Sequence, residues 1–489
     1  LRRSSFVGLG AFLVLAALFM SVRHTSFIQK SETLSRIASI SLSDRTTTSR
    51  FQIWSMALEG FKEKPIQGWG QENFSFVFNK YYLPTMYSQE QWFDRAHNQF
   101  LDWLIAAGLP AFLLYLSFFA LAVWLIMQSE VLTVPEQALL LGLLGGYAFN
   151  NMLVFDDLIS SVYFFMLLAF IHGLAKHPLP SRLFLSRPVS NQGVAILAPI
   201  VLVMTLVGCW ALNAPGIARA EKILAAITPT PAADGGLKKN IEEFKTALGP
   251  GTWPGTQLGH QEVVEQMFQF TQSVVSGQAD PAAKQEYVAL TNQAGKDLLA
   301  LRPHDARLEL FYATFLEMLS QYDEAGKQLQ AALADSPKKQ QIMFELGVFY
   351  LNQGNNALAL PILKAAFDEA PDYRDARILY AAGLYYTGNV KGGDDVLIQG
   401  FGTVMVDDSR LLQVYIHTKQ FDRIIDIWQA RVAAKPKDAQ THVGLAAAYF
   451  TAGNKAGAIQ ELQTAAALDP GLAPQAQSYI TQIQNGTLK

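Results

Sequence analysis

The stretch Leu346-Gly347-Val348-Phe349-Tyr350-Leu351-Asn352-Gln353-Gly354-Asn355 decides how the carboxy-terminal half is read, because its pattern recurs. Gly383-Leu384-Tyr385-Tyr386 runs into Thr387-Gly388-Asn389, and Gly444 to Tyr449 leads to Ala452-Gly453-Asn454. Prolines keep the same register: Pro303, Pro337 and Pro371 stand 34 residues apart, as do Pro436 and Pro470. Small residues let paired helices approach, and each proline closes a unit because it cannot continue a helix.

A 34-residue helix-turn-helix period predicts tetratricopeptide repeats over 302–489. Pro371 and Pro436 are 65 residues apart, three short of two periods, which predicts one degenerate repeat from Val404 to Lys435. Leu472 to Gln484 is expected to cap the array. Upstream, 213–301 reads as a helical connector broken by Gly249-Pro250-Gly251 and Trp253-Pro254-Gly255. Such repeats imply a protein partner that the sequence does not name.

Composition changes near residue 212, from apolar runs to an Ala-rich, Gln-rich and charged tail. A net charge of -3 and a pI near 6.3 give no basic face for nucleic acid. The single cysteine, Cys209, excludes an internal disulfide and a cysteine metal cluster.

Five stretches approach the roughly 20 apolar residues that a helix needs to cross a bilayer. They run from Phe6 to Val22, Leu104 to Met127, Gln137 to Phe155, Leu158 to Leu174 and Val194 to Leu212. Arg2 and Arg3, with Lys176, Arg182 and Arg187, mark cytoplasmic ends, which places a large loop over 24–103 and everything after Leu212 outside. The loop from Gln128 to Glu136 is the weak point, being cytoplasmic in this scheme without Lys or Arg. Leu1 in place of Met, with an apolar run starting almost at once, predicts that further spans precede it; Ser21-Val22-Arg23 is a poor cleavage site for a signal peptide. The expected fold is all-α: a polytopic transmembrane bundle, truncated at its amino terminus, over 1–212, then a repeat solenoid.

The outer loop holds Arg50-Phe51-Gln52-Ile53-Trp54, then Pro65-Ile66-Gln67-Gly68-Trp69-Gly70-Gln71-Glu72-Asn73-Phe74, then Arg95-Ala96-His97-Asn98. This ordered set resembles the O-antigen ligase superfamily, whose large periplasmic loop bears an Arg and a His-Asn pair. The family places nine residues and a Gly-x-x-Gly turn after the pair. Here Gln99 to Ala107 are the nine, and Gly108-Leu109-Pro110-Ala111 replaces the second glycine. Asn151 to Phe165, with Phe155-Asp156-Asp157, extends the resemblance, which covers roughly residues 45–175. Family members have about twelve spans, so the resemblance also implies helices upstream of this segment.

The resemblance implies transfer of a glycan from a polyprenyl diphosphate to an acceptor hydroxyl at the outer face of a bacterial cytoplasmic membrane, in lipopolysaccharide or surface polysaccharide synthesis. No cofactor or metal is implied. A guanidinium suits departing phosphate charge, which makes Arg50 and Arg95 candidates. His97 suits the general base. Asn98 and Asp94 are candidates to orient the imidazole or bind glycan, Lys80 to meet phosphate, and the aromatics Tyr81 and Trp92 to line a sugar site. The duller alternatives are that His97 caps the next helix, that Arg50 and Arg95 pair with Asp44 or Asp94, that Asp156 and Asp157 only end helices, and that the aromatics form an interfacial belt.

Phosphate-loop, His-Glu-x-x-His and Gly-x-Ser-x-Gly motifs are absent from the sequence. Three acceptors remain open: a lipid A core, a growing glycan (a polymerase) or a protein side chain (an oligosaccharyltransferase). A non-catalytic membrane scaffold carrying the repeats is the rival from another class.

Overall fold

A computed structural model describes residues 14, 17–39, 45–174, 190–249 and 259–488. It is all-helical, with no strand among the described residues, and forms two compact units divided between Leu202 and Val203. Arg2, Arg3, Lys176, Arg182, Arg187 and Asp44 lie outside the described residues, as do most of the first expected span and the loop residues Pro250 to Gly255.

The amino-terminal unit contains α1 (Ser26–Lys30), α2 (Glu32–Ser39), α3 (Arg45–Glu63), α4 (Phe74–Lys80), α5 (Gln99–Met127), α6 (Val134–Asn151) and α7 (Leu158–Gly173), and α8 (Asn191–Ile227) carries the division. In α3, Ile53, Met56 and Ala57 fall on one helical face, and Phe74, Val77 and Phe78 do the same in α4. Together with Tyr82, Met86, Phe93, Ala96 and Ile105 they close one apolar core. The loop between the first two expected spans is therefore a folded body with its own interior. Two of its aromatics, Tyr82 and Phe93, are core residues rather than members of an interfacial belt.

A second core joins α5, α6 and α7 through Tyr115, Ala122, Ile126, Leu140, Leu144, Phe164 and Ile171. Tyr147 stacks on Phe164 at 4.4 Å between ring centroids. Among the described residues, two helices are long and apolar enough to cross a bilayer: α5 with 29 residues and α8 with 37. The other two expected spans fall short. α7 is apolar but has 16 residues, and α6 opens on Pro135-Glu136-Gln137 and closes on Asn150-Asn151, after which Leu153 N–H turns back to the Asn150 carbonyl.

The carboxy-terminal unit stacks helix pairs: Ala306–Met318 with Tyr322–Asp335, Gln340–Asn352 with Asn356–Glu369, Arg374–Tyr386 with Val390–Phe401, Ser409–His417 with Phe421–Ala434, and Ala439–Thr451 with Lys455–Leu468. Ala473–Asn485 follows them. Within each pair the turn passes through a left-handed residue: Ser320, Gly354, Gly388, Lys419 and Gly453. The degenerate repeat keeps that turn, and its shortfall lies in Ser409–His417, which has 9 residues where the other first helices have 13. Before the first proline-bounded repeat, His260–Ser276 and Pro281–Leu301 form a further pair, with Phe268 packed on Tyr312 and Phe315. This pair lies within the expected connector, 213–301.

Candidate functional site

The site is built where the Pro65–Gly70 segment meets a break in α5. Ala107 and Gly108 leave helical geometry, with Gly108 at φ +72°. The freed carbonyls of Ile105 and Ala106 accept the N–H groups of Trp69 (2.7 Å) and Gly70 (2.9 Å), and Leu109 N–H donates to Pro65 (2.8 Å). Backbone at the break is thereby satisfied by a loop instead of by its own helix. A Cβ on Gly108 would collide with the Ile66 carbonyl, whereas the next glycine of the family's turn is dispensable: Ala111 continues the helix beyond.

On this platform the turn Arg95-Ala96-His97-Asn98 is pinned from both sides. Trp54 Nε1 donates to the Ala96 carbonyl (3.1 Å), and Ala96 N–H donates to Asp102 Oδ1 (2.8 Å). Asn98 caps α5, its side-chain oxygen accepting the N–H groups of Phe100 (3.0 Å) and Leu101 (3.2 Å). The capping role considered for His97 belongs to Asn98. His97 itself takes a left-handed conformation, φ +51°.

The His97 ring packs against Phe93 (5.5 Å) and Phe155 (5.4 Å between centroids). Neither ring nitrogen hydrogen-bonds to a described residue. Burial first, and then the Arg50 guanidinium, hold its pKa below the ordinary histidine value, against the opposite pull of Asp94 and Glu90. The imidazole is therefore neutral at pH 7 and able to accept a proton. Arg50 and His97, far apart in sequence, share one electrostatic neighbourhood, and Asp94 is exposed beside them without a hydrogen bond to His97 among the described residues.

Arg95 is committed elsewhere. It pairs with Glu72 at 2.6 Å and lies over the Phe155 ring at 5.3 Å. Arg95, Glu72, Asp94 and Asp102 line one shallow pocket, and Asp102 Oδ2 is buried without a hydrogen-bond partner. Lys80 and Tyr81 share a different partner, Glu63, at 2.6 and 2.9 Å, and the Lys80 hydrogen bond leads in holding the Glu63 carboxyl below its ordinary range. Trp92 is half-buried in the segment before Arg95. Asp157 caps α7 through Ser160 N–H (2.6 Å), while Asp156 accepts from Tyr147, Ser160 and Ser161 and its own N–H donates to Gln99 Oε1 (2.9 Å). That last bond ties the segment bearing Phe155 to the start of α5.

Three residues matter to this geometry that sequence reasoning did not single out for the site: Glu72, Asp102 and Phe155. Glu72 and Phe155 stand inside motifs that carried the resemblance, but their contacts with Arg95 and His97 depend on the fold. Asp102 lies one helical turn after Asn98, a spacing that places an acid in the first turn of α5.

Residues 1–116 match the O-antigen ligase family. The O-antigen ligase match includes Arg50, Lys80, Tyr81, Trp92, Asp94, Arg95, His97 and Asn98, and ends before Phe155. Residues 318–374 and 425–473 match tetratricopeptide repeats. No curated protein matches the chain. Solved structures similar to it include a tetratricopeptide repeat protein from Parabacteroides merdae, at 14% identity over 55% of this chain and 99% of that one, with a TM-score of 0.37. MamA is similar at 16% identity over 35% of this chain and 94% of its own, TM-score 0.27. YrrB, described as a TPR protein with an unusual peptide-binding site, is similar at 16% identity over 48% and 97%, TM-score 0.23.

Proposed function

We propose that the amino-terminal unit transfers a glycan from a polyprenyl diphosphate to an acceptor hydroxyl at the outer face of a bacterial cytoplasmic membrane, with His97 as general base. The observation that carries this reading is the His97 imidazole: free at both nitrogens among the described residues, its pKa lowered by burial and by the Arg50 charge, within the stretch that matches O-antigen ligases.

The acceptor O–H proton passes to His97. The acceptor oxygen bonds the anomeric carbon, and the bond from that carbon to the diphosphate oxygen breaks, with the electron pair leaving on the diphosphate. Arg50 is the guanidinium best situated to meet that charge, since Arg95 is already neutralised by Glu72. Donor binding also primes the base: a diphosphate beside Arg50 offsets the charge that disfavours imidazolium, so the proton affinity of His97 rises when the donor arrives. Further spans, beyond α5 and α8, complete the lipid-facing cavity in this reading.

Glycan transfer from a lipid-diphosphate donor, measured in membranes at matched expression, tests it. His97→Ala is expected to lose about 100-fold to 10,000-fold of the rate. Equal transfer by the variant rules out the assigned base. A second reading, a membrane scaffold that recruits envelope proteins, is favoured by the extent of the repeat unit. It predicts no transfer by either protein.

A further inference from the structure

The repeats allow one position to be compared with itself. Six residues after the repeat proline stand Glu309, Met343, Arg377, His442 and Ala476, each following Pro303, Pro337, Pro371, Pro436 and Pro470. All five are buried, so a polar occupant there must be satisfied from within.

In two repeats it is, by a cationic or donating group. Arg377 donates from Nη2 to the Pro371 carbonyl (2.8 Å) and from Nη1 to the Val396 carbonyl (2.8 Å). His442 lies 3.1 Å from the Pro436 carbonyl through Nε2 and 2.6 Å from Glu461 through Nδ1. Val396 and Glu461 occupy one equivalent place on the second helix of their repeats, and the same place in the first repeat is Gln328. Met343 with Ile362 makes the second repeat's version apolar.

The first repeat breaks the pattern. Glu309 is 7% exposed, yet its Oε2 has no hydrogen-bond partner. It faces a cavity lined also by Gln328, Ala331, Ala334, Asp335 and His304. Asp335 stands beside it, held by His304 Nδ1 at 3.2 Å. Where the third repeat seats its own guanidinium, this one offers a carboxyl pair and open space. The alanines give walls against which an alkyl stem can lie.

We propose that this cavity binds the guanidinium or ammonium head of a basic side chain presented by a partner polypeptide, which fills the place that Arg377 occupies from within two repeats later. Until a cation arrives, burial first, then the charge of Asp335 and a hydrogen bond with it, then the Asp305 charge, push the Glu309 carboxyl up to about 8, so it holds a proton at pH 7. Binding favours its ionised form and releases that proton. Asp335 is turned toward His304, and Asp305 is paired with Arg302 at 3.0 Å, which leaves Glu309 as the group that changes charge. Affinity therefore rises with pH on the acid side of the Glu309 titration and levels off above it.

The test uses the full chain in detergent micelles and calorimetric titration with a blocked Ala-Arg-Ala tripeptide, its citrulline counterpart, and arginine amide. Saturable binding of the arginine tripeptide is expected, with affinity lower by about tenfold or more for the citrulline peptide and for Glu309→Gln. Glu309→Met, which copies the second repeat, is expected to keep the helical melting profile and to lose binding equally. The citrulline comparison needs no variant and holds even if one misfolds. Equal binding of citrulline, undiminished binding by a folded Glu309→Met protein, or no saturable binding of the arginine tripeptide overturns the proposal. Tighter binding of arginine amide than of the tripeptide overturns the polypeptide source.

Discussion

His97 owes its position to its neighbours' backbone groups. Trp54 and Asp102 grip the two sides of the Ala96 peptide, and Asn98 fixes the helix start, so the imidazole between them is held at a left-handed φ that costs a non-glycine residue about 1 to 3 kcal/mol. The charges around it have opposing signs, and that gives a prediction about titration. Arg50 disfavours imidazolium while Asp94 favours it. The reaction needs the neutral ring, so transfer falls as pH drops through the His97 pKa. Removing the cation with Arg50→Gln raises that pKa and moves the acid limb of the pH–rate profile to higher pH; Asp94→Asn moves it to lower pH. Profiles recorded at saturating donor check the directions. An unmoved limb in both variants would show that His97 is not the titrating base.

At the scale of the element, the break in α5 is where motif and fold explain one another. The first glycine of the family's turn is needed because Gly108 both adopts positive φ and lies against the Ile66 carbonyl. Gly108→Ala is expected to destabilise the amino-terminal unit by about 1 to 3 kcal/mol or more from backbone strain alone, and to undock the Pro65–Gly70 segment. Hydrogen exchange at Trp69 and Gly70 reads that directly, since their amides donate to Ile105 and Ala106. Ala111→Gly, which restores the family's second glycine, is expected to leave their protection unchanged. The resemblance implied this turn and supplied Arg50 and His97. What it did not carry was the pairing of Arg95 with Glu72 or the ring of Phe155 against His97. Those contacts join segments 23 and about 60 residues apart, and no local propensity specifies them.

At the scale of the whole molecule, the legible part was the repeat period, because stacking units of equal length force prolines and left-handed turns into register. The pair His260–Leu301 was harder to see: it carries no proline at its own start in the 34-residue register, and only Pro303, closing it, announces that a unit precedes. Of the expected spans, α5 and α8 form helices long and apolar enough to cross a bilayer, whereas α7 is apolar over 16 residues and α6 carries polar residues at both ends. The two units have separate cores, and the proposed chemistry lies wholly in the first. A protein ending near Leu212 therefore retains Arg50, His97 and the α5 platform. If transfer is the function and the repeats select the partner, this truncated protein keeps measurable glycan transfer from a lipid-diphosphate donor while losing discrimination between acceptors. If the membrane unit only anchors the solenoid, the truncation abolishes every activity of the chain, and His97→Ala in the full protein changes none of them.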